Sequence, residues 1–171
     1  MMVQTIVVSR SKCYSQTIDL TGSTLDAETA MSLSSAIKSH PTLNSVGLAQ
    51  CDLGNGDVRV LNKILFACKG LASLSLGHSS FTSDCLALIA KFLGKKISIK
   101  SFSLDGAKVD KEGKKLLSHA LRKNRSVTDL TLRNNSLKLP FMQKNCLESM
   151  DHKLTFLDLS FNSFPSQVRQ I

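Results

Sequence analysis

A hydrophobic pattern returns every 28 residues along this chain of 171. Leu43, Leu71, Ile99 and Val127 form one column. Ile18, Val46, Leu74, Phe102 and Leu130 form a second, and Leu20, Leu48, Leu76, Leu104 and Leu132 a third. A fourth column, Leu25, Leu53, Phe81, Val109 and Leu137, keeps the same step. A unit this short cannot bury its own apolar faces, so it must stack on its neighbours, and the product is a solenoid that presents a surface.

Each copy reads L-x-x-L-x-L-x-x-N-x-L followed by a helical stretch. The clearest copy runs Leu154-Thr155-Phe156-Leu157-Asp158-Leu159-Ser160-Phe161-Asn162-Ser163-Phe164. The motif resembles the leucine-rich repeat, and the 28-residue period with a full helix resembles its ribonuclease-inhibitor type. The resemblance covers residues 15–164, about six repeats with the last incomplete. Residues 1–14 are left as an N-terminal cap or tail and 165–171 as a C-terminal tail. It implies an α/β, right-handed leucine-rich-repeat solenoid, a short horseshoe arc with a parallel sheet on the concave side and helices on the convex side. The turn position, where that family prefers Asn, holds Ser23, Cys51, Ser79, Ala107, Asn135 and Asn162. Only the last two carry an amide, so the N-terminal half is expected to be tied less tightly along that edge.

The residues argue for the same layers. Within each short run, apolar residues two apart share a face, as a strand requires. After the turn the period becomes helical. Leu33, Leu61, Ile89 and Leu117 occupy one column, Ile37, Leu65, Leu93 and Leu121 another, with Ala36, Ile64, Phe92 and Ala120 beside them. Asp26, Thr82 and Asp110 stand ahead of these stripes as N-caps. Parallel strands stack at about 4.8 Å and helices at about 8–10 Å, so the array should bend with its strands inside. The fifth helical part, Pro140 to Met150, breaks the column spacing. The strand Leu154–Leu159 is expected to end the sheet with an uncovered edge, to be closed by the tail, by a partner or by a second copy.

Charge is unevenly spread. Of the net +9, residues 91–125 carry +8, with eleven Lys and Arg against Asp105, Asp110 and Glu112. The solvent-facing strand positions carry Asp19, Asp105, Asp129 and Asp158 against Arg133. Basic side chains instead follow the helix stripes, where cations complement the helix dipole. Lys95, Lys96, Lys111, Lys114, Lys115, Arg122, Lys123 and Arg125 form an alternative patch for an anionic surface, nucleic acid or membrane. No aromatic residue is interleaved between Phe102 and Phe141, which weighs against nucleic acid.

Catalysis and metal binding find little support. His40, His78, His119 and His152 fall at different repeat positions, and no nucleophile, base and orienting group can be assembled. The stretch Asp52 to Asp57 lacks the acidic ladder and closing Glu of a calcium loop and reads as a strand-to-helix turn. The five cysteines are odd in number and in no zinc-like spacing, so free thiols in a reducing compartment are expected. Residues 1–8 are too short and polar for a signal peptide, and no apolar run reaches membrane-spanning length. A soluble cytoplasmic protein without cofactor follows.

The expected function is a non-enzymatic scaffold that binds a protein partner. The candidate anchor is the C-terminal third of the strand face: Asp105, Asp129, Arg133, Phe156, Asp158 and Phe161. Arg and large aromatics dominate interface hot spots. Related repeat proteins include ribonuclease inhibitors, activators of a small GTPase and actin-capping proteins, so regulation of a GTPase or of actin is an alternative. The excess of Lys over Arg and the absence of Trp also suit an AT-rich genome and a bacterial effector delivered into a host cytosol.

Overall fold

In a computed structural model the chain is described over residues 16–52, 58–79, 81–95, 98–138 and 154–164. Among these residues are six strands and four helices: β1 (Thr17–Asp19), α1 (Ala27–Ser39), β2 (Ser45–Gly47), α2 (Val58–Ala67), β3 (Ser73–Ser75), α3 (Ser83–Leu93), β4 (Ser101–Ser103), α4 (Lys111–Lys123), β5 (Asp129–Thr131) and β6 (Phe156–Asp158). A 3-10 turn, Cys68–Gly70, extends α2. The stretches 1–14, Pro140 to Met150 and 165–171 lie outside the described residues.

The strands form one parallel sheet in chain order, β1 to β6. Register follows the sequence period: Ile18 pairs with Val46, Val46 with Leu74, Leu74 with Phe102 and Phe102 with Leu130, each 28 residues on. The last step, Leu130 to Leu157, is 27 residues. Central strand residues point into the helix layer, and Val46, Leu74, Phe102 and Leu130 are buried there. Flanking residues such as Thr17, Asp19, Ser101 and Phe156 stay exposed on the open face.

The helical columns meet this layer as the spacing requires. Leu33, Leu61, Ile89 and Leu117 are buried, as are Ile37, Leu65, Leu93 and Leu121. Each such side chain is worth about 1.5–3 kcal/mol of transfer free energy. The N-caps form too: Asp26 accepts from the Thr29 N–H at 2.8 Å, Thr82 from Cys85 at 3.3 Å and Asp110 from Gly113 at 2.7 Å.

Pairing continues past each three-residue strand. The N–H groups of Gly22, Gln50, Gly106 and Asn134 donate to carbonyls of the next copy, those of Ala49, Gly77, Arg133 and Ser160, at 2.8–3.0 Å. His78 makes the same bond to Asp105. Reaching that carbonyl turns the chain into the left-handed region: Gly22, Gln50, His78, Gly106 and Asn134 have φ between 51° and 80°, and Phe161, at the same repeat position after β6, has 59°. Gly22 and Gly106 carry no side-chain cost there, and Asn134 and His78 are of types enriched in it, whereas Gln50 is not. Phe161 is bulky, and bulky residues rarely adopt this conformation.

The turn edge is tied across copies without needing an amide everywhere. Asn162 Nδ2 donates to the Leu132 carbonyl and Asn135 Nδ2 to that of Leu104, at 2.8 and 2.7 Å. Ser79 Oγ reaches the equivalent Leu48 carbonyl at 3.4 Å, and Cys51 Sγ that of Leu20 at 3.2 Å. Hydroxyl and thiol therefore continue the ladder into the N-terminal half, through longer bonds than the amides make. Its gap falls in the middle, at Ala107, which has no side-chain donor. Opposite that gap the buried Asn135 Oδ1 has no partner.

Candidate functional site

The six anchor residues lie on or just after three neighbouring strands of the sheet, β4 to β6. Asp129 and Phe156 are register partners on β5 and β6, and Thr131 and Asp158 are the next pair. Arg133 follows β5 and Asp105 follows β4, so these two side chains sit at the C-terminal end of the strands. Phe156 and Ser160 are four residues apart, about 13 Å in extended chain. The structure thus divides the six into two groups, with Asp158 between them.

The C-terminal group is knitted together. Asp105 Oδ1 accepts the Arg133 N–H at 2.7 Å, and its Oδ2 lies 3.3 Å from Thr131 Oγ1. This holds the backbone from which Arg133 projects. Arg133 Nε lies 3.6 Å from Asp158 Oδ2, an ion pair too long to be a hydrogen bond. The guanidinium carbon stands 5.2 Å from the Phe161 ring centroid. A cation over an aromatic at an exposed site is worth about 0.5–1 kcal/mol. Asp158 Oδ1 accepts the Ser160 N–H at 2.9 Å. That bond, then the Ser160 hydroxyl, and the Arg133 charge hold its carboxyl below the usual range.

The other group is looser. Asp129 is engaged by threonines, Thr128 Oγ1 at 2.7 Å and Thr155 Oγ1 at 3.3 Å, and makes no ion pair with Arg133 among the described residues. Phe156 is 52% exposed and Phe161 75% exposed. Both aromatics face solvent on a surface whose middle is Ser, Gly and Ala. The supporting residues Thr131 and Ser160 were not among the sequence candidates. The Asp-x-Ser spacing of 158–160, repeated as Asp19-x-Thr21, is the signal that would have found Ser160, because Asp bonds the backbone two residues on. Asp19 does so at 3.0 Å.

The alternative basic set is not one cluster. Lys111, Lys114 and Lys115 occupy the first turns of α4, whereas Arg122 and Lys123 end it and Arg125 follows. The ends of that helix stand about 18 Å apart. Lys114 Nζ donates to the Ser136 carbonyl at 3.0 Å, and Lys115 pairs with Glu112 at 3.0 Å. Lys95 follows α3 and is exposed; Lys96 lies outside the described residues.

No group of three potential metal ligands occurs among the described residues. No helix among them is long and apolar enough to cross a membrane. Cys51, Cys68 and Cys85 are buried free thiols, and burial pushes the Cys68 thiol up to about 12. The expected thiols Cys13 and Cys146 lie outside the described residues.

No protein-family model matches the sequence. Protein CARMIL of Dictyostelium discoideum is similar, 24% identical over 151 residues, which is 86% of this chain and 14% of that protein. The NACHT, LRR and PYD domains-containing protein 5 of Bos taurus is 28% identical over 146 residues, 84% of this chain and 13% of that protein. The chain therefore spans about one seventh of the length of the curated relatives it matches. Both likenesses are distant, and together with the strand register they support a leucine-rich-repeat type and no finer subdivision.

Proposed function

We propose that this chain is a non-enzymatic leucine-rich-repeat scaffold that binds another protein on the open face of its sheet. We read the array as a right-handed horseshoe arc of the ribonuclease-inhibitor type, with that face concave. One observation carries the site: Phe161 is exposed in a left-handed turn conformation while Arg133, anchored by Asp105 and Asp158, lies against its ring. Strain of this kind persists where surrounding contacts over-determine it, and it clusters at ligand-contacting sites. An Arg and an aromatic held in one geometry lose little freedom on binding, which is what makes a hot spot. Phe156, at the far end of β6, supplies a second contact point. The buried thiols suit a reducing cytosol.

The test is capture from eukaryotic cytosol, followed by affinity measurement with variants. Phe161→Ala or Arg133→Ala should weaken the captured partner at least about 30-fold, the scale of a hot spot. Reversing Lys111, Lys114 and Lys115 to Glu should leave it within about threefold, as for charges outside an interface core. The opposite ranking would move the site to the helices and end this reading.

A further inference from the structure

Nine Lys and Arg, and no Asp or Glu, fall in four windows of the sequence: residues 35–42, 63–70, 91–98 and 119–126. The windows are one repeat apart and hold the C-terminal ends of α1 to α4 with the turns that follow. Because α1 packs on α2, α2 on α3 and α3 on α4, residues one period apart come side by side. Lys38, Phe66, Gly94 and Arg122 make one row across the four helices, and Lys95 and Lys123 lie in the next. Lys38, Lys91, Lys95, Arg122 and Lys123 are all exposed. The chain's excess charge is therefore a rim along one edge of the helix layer, wider than the segment 91–125 in which it first shows.

Within the rim stands Phe66, 59% exposed, with Lys38 Nζ 5.7 Å from its ring centroid. Helix dipoles account for cations in a last turn. They account neither for the exclusion of acids from the turns beyond nor for a large aromatic kept in water beside Lys38, in a row that Gly94 and Arg122 complete. An exposed apolar side chain beside a cation, within a rim that carries no acid, is the composition of a surface that settles on anionic lipid.

We propose that this rim docks the molecule on an anionic lipid bilayer, with Phe66 entering the headgroup layer and the flanking cations meeting lipid phosphates and carboxylates. Three helix-to-helix steps give a contact about 24–30 Å long, which a flat membrane can satisfy all at once. Nucleic acid fits less well. Seven of the nine cations are Lys, a hydrated point charge, whereas Arg is the residue of planar phosphate and base recognition. Phe66 also has no second aromatic in its row on which successive bases could stack. The rim runs along the helix C-termini and includes no strand residue, so docking there leaves the sheet face open.

Co-sedimentation with vesicles tests this, using phosphatidylcholine alone and phosphatidylcholine with phosphatidylserine, at low and high salt. Binding should require phosphatidylserine and weaken with salt. The triple reversal Lys38→Glu, Lys95→Glu, Lys123→Glu should weaken it at least about tenfold, and Phe66→Ala about threefold. Reversing Lys111, Lys114 and Lys115, at the other end of α4, changes net charge equally and should cost no more than about twofold. All these side chains except the half-buried Lys114 are exposed, and thermal melts confirm that the variants fold; milder Lys→Gln rim variants serve where a reversal does not. Absence of binding, equal binding to phosphatidylcholine, indifference to the rim variants, or tighter binding to duplex RNA at equal phosphate would each overturn the proposal.

Discussion

Ser79 Oγ accepts the backbone N–H of Cys51 at 3.1 Å, one full repeat away. Both residues are buried, so this hydroxyl answers a donor that water cannot reach. Ser79→Ala should leave that N–H unpaired and cost about 1–3 kcal/mol. Urea unfolding measures it; an unchanged midpoint would remove the hydroxyl from the ladder.

Leu104 has no exposed surface and Leu76 only 2%. Leu104→Ala or Leu76→Ala should each cost about 2–5 kcal/mol, the transfer term plus the cavity left behind. Thermal or urea melts give the value, and a loss below about 1 kcal/mol would show that the columns tolerate voids.

Acid should loosen the helix starts. Backbone bonds from Gly113 and Thr29 hold the carboxyls of Asp110 and Asp26 below their ordinary value of 3.8. A depressed folded-state value means the stabilisation is complete above the unfolded value and is lost as pH falls through the folded one. The window therefore opens near pH 4 and extends downward. Asn caps a helix without titrating, so the Asp26→Asn, Asp110→Asn variant should lose less melting temperature between pH 5 and pH 2 than the parent chain. Parallel losses would mean that other carboxylates govern the acid limb.

Cys68 is fully buried and its thiol is raised to about 12, so little thiolate exists near neutral pH and none is reachable. Alkylation of Cys68 in the native protein at pH 8 should run at least about a hundredfold slower than in denaturant. Mass spectrometry of time points measures this, and rapid native labelling would place Cys68 outside the core.

The period of 28 carried the fold because identical steps in sequence become identical positions in a stack. Ile18 to Leu130 could be aligned before any strand was seen, and three caps were visible as Asp26, Thr82 and Asp110. Less was legible where chemistry substitutes for identity. A thiol at Cys51 and a hydroxyl at Ser79 do the work of Asn, and only geometry reveals the shared carbonyl target. Phe161 was a candidate for its size, yet its left-handed backbone comes from its place in the turn after β6, which composition does not mark. The charge map was half legible. Counting along the chain picked out 91–125, whereas stacking the copies brings Lys38 and Phe66 into the same rim.

Ser45, Ser73 and Ser101 are mutual register partners. A chain cut before one of them and rejoined before the next loses one strand and one helix, yet every remaining ladder partner still faces its counterpart. Such seams close without mismatch, so recombination between copies can lengthen or shorten the molecule in whole units while the pairing geometry stays unchanged. The step from Asp129 to Phe156 is one residue shorter, yet these two are also register partners, so a seam made there closes as well. What a seam at that joint would change is the Arg133–Phe161 pair, whose two members stand on either side of it.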